Sequence, residues 1–491
     1  MQTPLPVFSQ SRGYRWYVLG TVLIGAFMSA LDASIVNIAL PAINVSYHSR
    51  MGVVEWVSLS YLLALTLLLP AMGRLADMLG RKPLYNSGFV LFTVGSYFCG
   101  AAHGILALVL WRVVQATGAA LLQSNSLALI TQVFPECERG RAIGIQGAVQ
   151  AAAMSFGPFV GGILVKYFSC QAIFYVNVPI GIAGTAVAWL VLPKPESKRG
   201  RLSVDVAGGL LFSVSLGSLM MVLTQITAQN WFSQHRGLLL LLAAASFGAF
   251  YFVERRAREP FIKLSLFRER NFTIGNVSGM FSYVALFAPM FLLPFYLEKI
   301  LKLDPERAGF LLTPVPMALS VVALFSGYLS DKFGVRLFTT GGMLLTALSL
   351  FALSTLHHDS GVGAVVWRLA LLGVSLGLFT PPNNRSVMCA APESDLSVAG
   401  GLLNMMRSLG MMCGVAFAQV IYSRELHDLI EKAAAESEPV TRKLRHHDMM
   451  LSFDKVYFTM IFVALAAAAL SLVKEREELS GRRAMEVPLE L

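Results

Sequence analysis

Apolar residues along this chain gather in long blocks, and the charged residues fall mostly between the blocks. GLLLLLAAASFGAFYFV (237–253) and VYFTMIFVALAAAALSLV (456–473) are two examples. Such blocks do not alternate as half-buried strands do, nor do they carry the single apolar stripe of a surface helix. A helix of about 20 residues crosses the hydrocarbon core of a bilayer. The pattern predicts fourteen spans, at 16–40, 52–72, 84–103, 105–128, 142–166, 173–193, 204–225, 237–254, 273–298, 309–329, 337–356, 362–384, 399–423 and 454–473. The expected fold class is therefore an all-α polytopic membrane protein. The apolar run from Trp16 continues without a small-residue cleavage site, so it reads as a first span rather than a signal peptide.

Composition agrees. Of 491 residues, 55% are hydrophobic and only 14% charged, against about 25% charged in a soluble domain. The net charge of +10 would suggest nucleic acid in a soluble protein. Here the basic residues lie between spans, so membrane topology explains them and no nucleic-acid partner is predicted. With the N-terminus inside, 24 of the 39 Lys and Arg residues fall on cytoplasmic loops and tails. The positive-inside rule then puts both termini in the cytoplasm. The five cysteines, Cys99, Cys137, Cys170, Cys389 and Cys413, match no metal-ligand spacing and suggest no disulfide framework.

The chain repeats itself. GRLADMLGRK at 73–82 is echoed by GYLSDKFGVR at 327–336, an offset of 254. Trp111-Arg112 is echoed by Trp367-Arg368, an offset of 256. Two echoes at nearly one offset indicate two homologous six-helix halves, with two extra spans between them. The organisation read from this is a tail at 1–15, a six-helix bundle at 16–193, and linker helices at 204–254. A second bundle follows at 273–473, with a long outer loop at 424–455, then a tail at 474–491.

These motifs resemble the major facilitator superfamily, in particular its fourteen-helix drug:H+ antiporter branch. The loop GRLADMLGRK, the helix-4 arginine stretch LWRVVQATGAA (110–120) and the helix-5 stretch GPFVGG (157–162) carry the likeness. So do LDASIVNIALP (31–41), EPFIKLSLFRERNF (259–272) and NMMRSLG (404–410). The second loop copy departs from the first, with Ser330 for Ala76 and Val335 for Arg81. The resemblance implies a bacterial inner-membrane antiporter with the major facilitator fold.

Among the acidic residues, Asp32 is the one well inside a span. An ionisable residue at membrane depth is by default a functional hypothesis. At 1.5 Å per residue, Asp32 on span 1 and Arg112 on span 4 both lie about 6 Å outward of the midplane. Burial favours a neutral acid and a neighbouring guanidinium favours its anion. Small changes in water access or partner distance would then load or release a proton. Asp32, Arg112 and, at the outer mouth, Glu55 are the candidate proton-coupling residues; a fixed structural ion pair is the alternative for the first two. The resemblance casts Gly73, Asp77, Gly80 and Arg81, with Asp331 of the second copy, as a conformational latch. It casts Gly157, Pro158, Gly161 and Gly162 as an interface or gating element. Candidate cavity residues are Asn37, Gln115, Tyr283, Phe287, Met290, Asn404 and Arg407. Arg368 reads as a snorkelling residue near the outer end of its span.

The function expected is proton-coupled export of amphipathic, often cationic drugs by alternating access. Its partners would be the small-molecule substrate, protons and the lipid bilayer. A functional monomer is expected, with a periplasmic adaptor as an option. The alternative is an exporter of one metabolite, such as a siderophore, antibiotic or lipid. A membrane enzyme or a sensor is disfavoured: there is no HExxH, no His/Cys cluster and no Walker motif, and GVSLG (373–377) lies inside a span. No catalytic set, cofactor or metal is predicted.

Overall fold

The computed structural model describes residues 13–49, 51–193, 205–224, 235–257, 262, 264–357, 360–392, 396–435 and 442–474. With no water in a bilayer core, each spanning segment must satisfy its own backbone, and a helix does so. Fourteen helices of 15 residues or more are present among the described residues: α1 (Tyr14–Ser46), α2 (Trp56–Leu79), α3 (Arg81–Gly100), α4 (Ile105–Val133), α5 (Glu136–Tyr167), α6 (Asn177–Val191), α7 (Val206–Thr224), α8 (Arg236–Arg256), α9 (Arg270–Phe295), α10 (Pro314–Phe333), α11 (Val335–Ser354), α12 (Val362–Cys389), α13 (Leu396–Ala435) and α14 (Arg442–Leu472). Twelve pass on length and hydropathy together. The other two are α3, whose stretch RKPLYNSG is polar, and α7, whose apolar core Ala207–Val222 is short.

Helix pairing shows the repeat in three dimensions. Within the first half, α1 packs on α4, α5 and α6, α4 on α2 and α3, and α3 on α6. The second half has the same set: α9 packs on α12, α13 and α14, α12 on α10 and α11, and α11 on α14. The halves meet through α2 with α13, and through α5 with α10 and the preceding short helix Pro305–Leu312, a symmetric pair of contacts. Helices α7 and α8 pack on each other, and α7 touches α2 and α13 along one side of that seam. The central helices α1 and α9 are the most buried in their membrane windows, whereas α8 and α10 are among the least, so lipid covers most of the latter pair.

The repeated loop has one geometry in both halves. Gly80 and Gly334 end α2 and α10 at φ 95° and 91°, with ψ 138° and 141°, and the next helix starts at once. This region is effectively restricted to glycine, which explains why glycine stands at both positions. In the outer loop set at 424–455, where LHDLIEKAAAES reads as a short surface helix, the helix is continuous with the span before it: α13 runs on to Ala435 and α14 begins at Arg442, leaving 436–441 outside the described residues. Strong helix formers in ELHDLIEKAAA let α13 propagate beyond its apolar block. The tails 1–12 and 475–491 also lie outside the described residues.

Candidate functional site

Asp32 and Arg112 meet. The Arg112 Nη1 donates to Asp32 Oδ2 at 2.6 Å, and the two residues are 1% and 0% exposed. A buried pair of this kind is held only if the remaining donors and acceptors are also met. Gln115, one turn along α4 from Arg112, donates through Nε2 to Asp32 Oδ1 at 2.8 Å and accepts from Arg112 Nη1 at 2.6 Å. Its Nε2 also reaches Ser96 Oγ on α3 at 2.7 Å. Asn177, the first residue of α6, donates to the same Asp32 Oδ1 at 3.0 Å. The remaining edge of the guanidinium donates through Nε to the Val57 carbonyl of α2 at 3.0 Å. Its face lies 4.1 Å from the Tyr61 ring centroid and 5.8 Å from that of Phe174. One carboxylate thus ties α1 directly to α4 and α6, and through its partners to α2 and α3.

The i, i+3 spacing of Arg112 and Gln115 sets both on one face of α4. Gln115 was expected in the cavity; the structure places it inside this network, fully buried. Ser96, Asn177 and Tyr61 were not singled out from the sequence. Asn177 and Gln115 had a legible signal, since amides within apolar runs need partners at membrane depth. Asn37 is buried between α1 and α2, where its Oδ1 accepts from Ser58 Oγ at 3.4 Å.

The helix-5 stretch has two faces. A Cβ at Gly157 would stand 1.8 Å from Ser34 Oγ, and one at Gly161 would stand 2.5 Å from Ile38 Cγ2. These glycines therefore let α5 press against α1 just beyond Asp32. Pro158 and Gly162, one residue further round, face the other half. There a Cβ at Gly309 would lie 2.1 Å from the Pro158 carbonyl oxygen and 3.4 Å from Gly162 Cα. Beside this contact Lys166 Nζ donates to Glu306 Oε2 at 2.5 Å, across the two halves. Glu55 was read as a residue of the outer mouth. It is instead 0% exposed at the start of α2, facing the Gln419 and Tyr422 side chains of α13. Helix α13 covers a position that the sequence left facing water.

In the repeated loop, Arg81 Nη1 donates to the Ala128 carbonyl of α4 at 3.0 Å, and Gly73 lies on α2 near Ser124. The side chains of Asp77 and Asp331 lie outside those described. Arg368, the echo of Arg112, takes a different part: it bonds the Ala352 and Ala364 carbonyls and Thr355 Oγ1.

Of the predicted α9 stripe, Tyr283 lines a cleft between α9, α12 and α13, together with Arg407. Phe287 instead packs beside Gly414 of α13, Met290 packs against the core, and Asn404 is half-buried on α13 outside the cleft lining. A cavity stripe was expected there because all three α9 residues share a helical face; Tyr283 and Phe287 are buried, Met290 is half-buried, and only Tyr283 borders the cleft.

Comparison with known proteins bears on this arrangement. The family profile of the Major Facilitator Superfamily matches residues 22–415. The riboflavin transporter of Clostridioides difficile is 34% identical over 412 residues, covering 84% of this chain and 89% of that one. The tetracenomycin C resistance and export protein of Streptomyces glaucescens is 33% identical, covering 87% and 79%. In fold, the chain is similar to the crystal structure of a bacterial homolog of the human lysosomal transporter Spinster in its inward-facing, unoccupied conformation. There the TM-score is 0.67 at 17% identity, with 94% and 97% of the two chains covered.

Proposed function

The chain belongs to the Major Facilitator Superfamily, whose members are small-molecule transporters and not enzymes, and from that premise we propose that it is a proton-coupled exporter of amphipathic compounds working by alternating access. We place it in the fourteen-helix drug:H+ antiporter branch. Fourteen helices and the similarity to a resistance and export protein support that placement. The observation that carries the coupling is the closed Asp32–Arg112–Gln115–Asn177 network.

Protonating Asp32 removes the counter-charge and leaves a buried guanidinium without a carboxylate. Breaking a buried pair in this way costs about 3–5 kcal/mol. The protonated protein therefore favours a conformation in which water reaches Arg112. Because the network ties α1 to α4 and α6, hydration there requires those helices to separate or tilt. A proton would thus be converted into a helix rearrangement, and alternating access needs such a link.

In this reading the Gly80 and Gly334 end is cytoplasmic, as are both termini, and the membrane is the bacterial inner membrane. The α5–Pro305–Leu312 contact and the Lys166–Glu306 pair form the outer seal. The glycine loops are the latch, with Asp77 and Asp331 as its carboxylates. The protein works as a monomer, with or without a periplasmic adaptor. A lipophilic cation is the second reading of the substrate, favoured by the membrane-embedded carboxylate. To use Asp32, a cation must first displace Arg112 and two amide donors.

The test is transport in proteoliposomes. A pH gradient should drive accumulation of a planar dye, an uncoupler should abolish it, and D32N should abolish the gradient dependence. Equal gradient-driven transport by D32N and the parent protein would remove Asp32 from the coupling step.

A further inference from the structure

The negative charge of the first half is consumed by its own network, whereas the second half presents a positive one. Arg407 lines the cleft between α9, α12 and α13, which also includes Asn276, Tyr283, Phe379, Asn383 and Asn384. No carboxylate is in that lining. The Arg407 guanidinium carbon stacks 4.8 Å from the Tyr283 ring centroid. Among the described residues, its ring contact is its sole polar interaction: no carboxylate or carbonyl meets its donors. A half-buried guanidinium held on an aromatic face keeps its donor edge free, and that edge matches a planar anion in bidentate geometry.

The amides around it have unequal freedom. Asn383 is committed: its Oδ1 accepts from Lys474 Nζ at 2.7 Å and its Nδ2 donates to the Gly275 carbonyl at 3.0 Å. Asn276 donates to the Phe272 carbonyl at 2.9 Å, but its fully buried Oδ1 has no partner. An unmet buried acceptor is unfavourable, and a ligand donor would satisfy it. The cleft is narrow, about 10 Å³, and the Tyr283 and Phe379 rings beside it are 9% and 1% exposed, so the cation, the acceptor and the two rings meet a ligand only as α9, α12 and α13 part.

We propose that this cleft is a substrate subsite for a planar aromatic acid, a carboxylate or phenolate pairing with Arg407 and the ring lying against Tyr283 and Phe379. A neighbouring O–H or N–H of the same ligand donates to Asn276. The inference rests on the transporter reading and narrows its substrate class from amphipathic compounds, cations among them, to hydroxy- or amino-substituted aromatic acids.

Two planar dyes of opposite charge separate the possibilities: fluorescein, with carboxylate and phenolate groups, and the cation ethidium. Binding is measured by fluorescence anisotropy with the full-length purified protein at one pH. Fluorescein should bind saturably and more tightly than ethidium. R407Q should weaken fluorescein binding about 10- to 100-fold, the range for a hydrogen bond to a charged group, and R407K should fall between. N384D, which puts a negative charge on the half-buried cleft wall, should weaken fluorescein and strengthen ethidium; that gain cannot come from misfolding. No saturable fluorescein binding, tighter ethidium binding by the parent protein, or an unchanged fluorescein Kd in R407Q would each overturn the proposal. A transport arm keeps the two readings apart, with retained dye counted after filtration and lysis at a fixed pH. Arg407-dependent fluorescein uptake that ignores the pH gradient would sink proton coupling and leave the subsite standing. Gradient-driven ethidium uptake untouched by R407Q, with fluorescein not carried, would do the reverse.

Discussion

Three donors converge on Asp32: Arg112 Nη1 on Oδ2 at 2.6 Å, and Gln115 and Asn177 on Oδ1 at 2.8 and 3.0 Å. An ionised carboxylate accepts on both oxygens, whereas an amide offers one acceptor and one NH2 group. In D32N at least one donor must face another donor, and the guanidinium loses its counter-charge. The expected cost is about 3–5 kcal/mol, that of removing one partner of a buried pair. R112Q leaves a buried carboxylate that Gln115 and Asn177 still serve, with a cost in the same range. The double variant D32N/R112Q has no buried charge, so its cost should fall short of the summed single costs by about 2 kcal/mol or more. Independent sites would add to within about 0.5 kcal/mol. The assay is reversible unfolding of the purified protein in detergent, by steric trapping, for all four members of the cycle. Proton-driven transport should be absent in all three variants, because the double variant regains stability without regaining a titrating group. Additive destabilisation would refute the claim that the pair acts as one unit. Transport in the double variant would refute its role in coupling.

Three further outcomes are expected. G80A and G334A place a β-carbon at φ 95° and 91°, at about 1–3 kcal/mol each; thermal melting should drop for both, and unchanged melting would contradict the strained-loop reading. G309A puts a methyl group where a Cβ would sit 2.1 Å from the Pro158 carbonyl oxygen; spin-label distances across that end should lengthen, and an unchanged distribution would mean that the halves do not close there. K166E should weaken the same closure only slightly, as a solvent-screened pair does; K166E/E306K should restore it, and failure of that rescue would show that the pair is incidental.

Much of the architecture is legible along the chain because membrane solvation imposes it locally. Each block near 20 apolar residues must become a helix, so twelve of the fourteen helices follow from length and hydropathy together. The two boundaries read least well, at 424 and 455, lie where helix propensity rather than apolarity carries α13 onward. The duplicated GRLADMLGRK and GYLSDKFGVR stretches predict equal halves, and Gly80 and Gly334 adopt the same unusual backbone for the same steric reason. The depth of Asp32 and Arg112 is likewise a matter of counting residues at a fixed rise.

What meets what across helices is decided by packing. Nothing in the linear pattern brings Asn177 at the start of α6, or Ser96 in α3, to the carboxylate of α1; the mutual burial of five helices does. Glycines 157 and 161 look equivalent to Gly162 in sequence, yet a helical step of 100° per residue turns the first two toward α1 and the third toward the other half. Glu55 precedes an apolar block and reads as a residue at the water interface, until α13 closes over it. The α9 stripe divides in the same way: Tyr283 stacks with Arg407 at the cleft, while Phe287 packs against α13 and Met290 against the core. The sequence by itself determined the helices, their number and their repeat, because those depend on one segment and its solvent. Which charges are neutralised and which remain free for a ligand depends on distances between segments, and only the tertiary structure sets those.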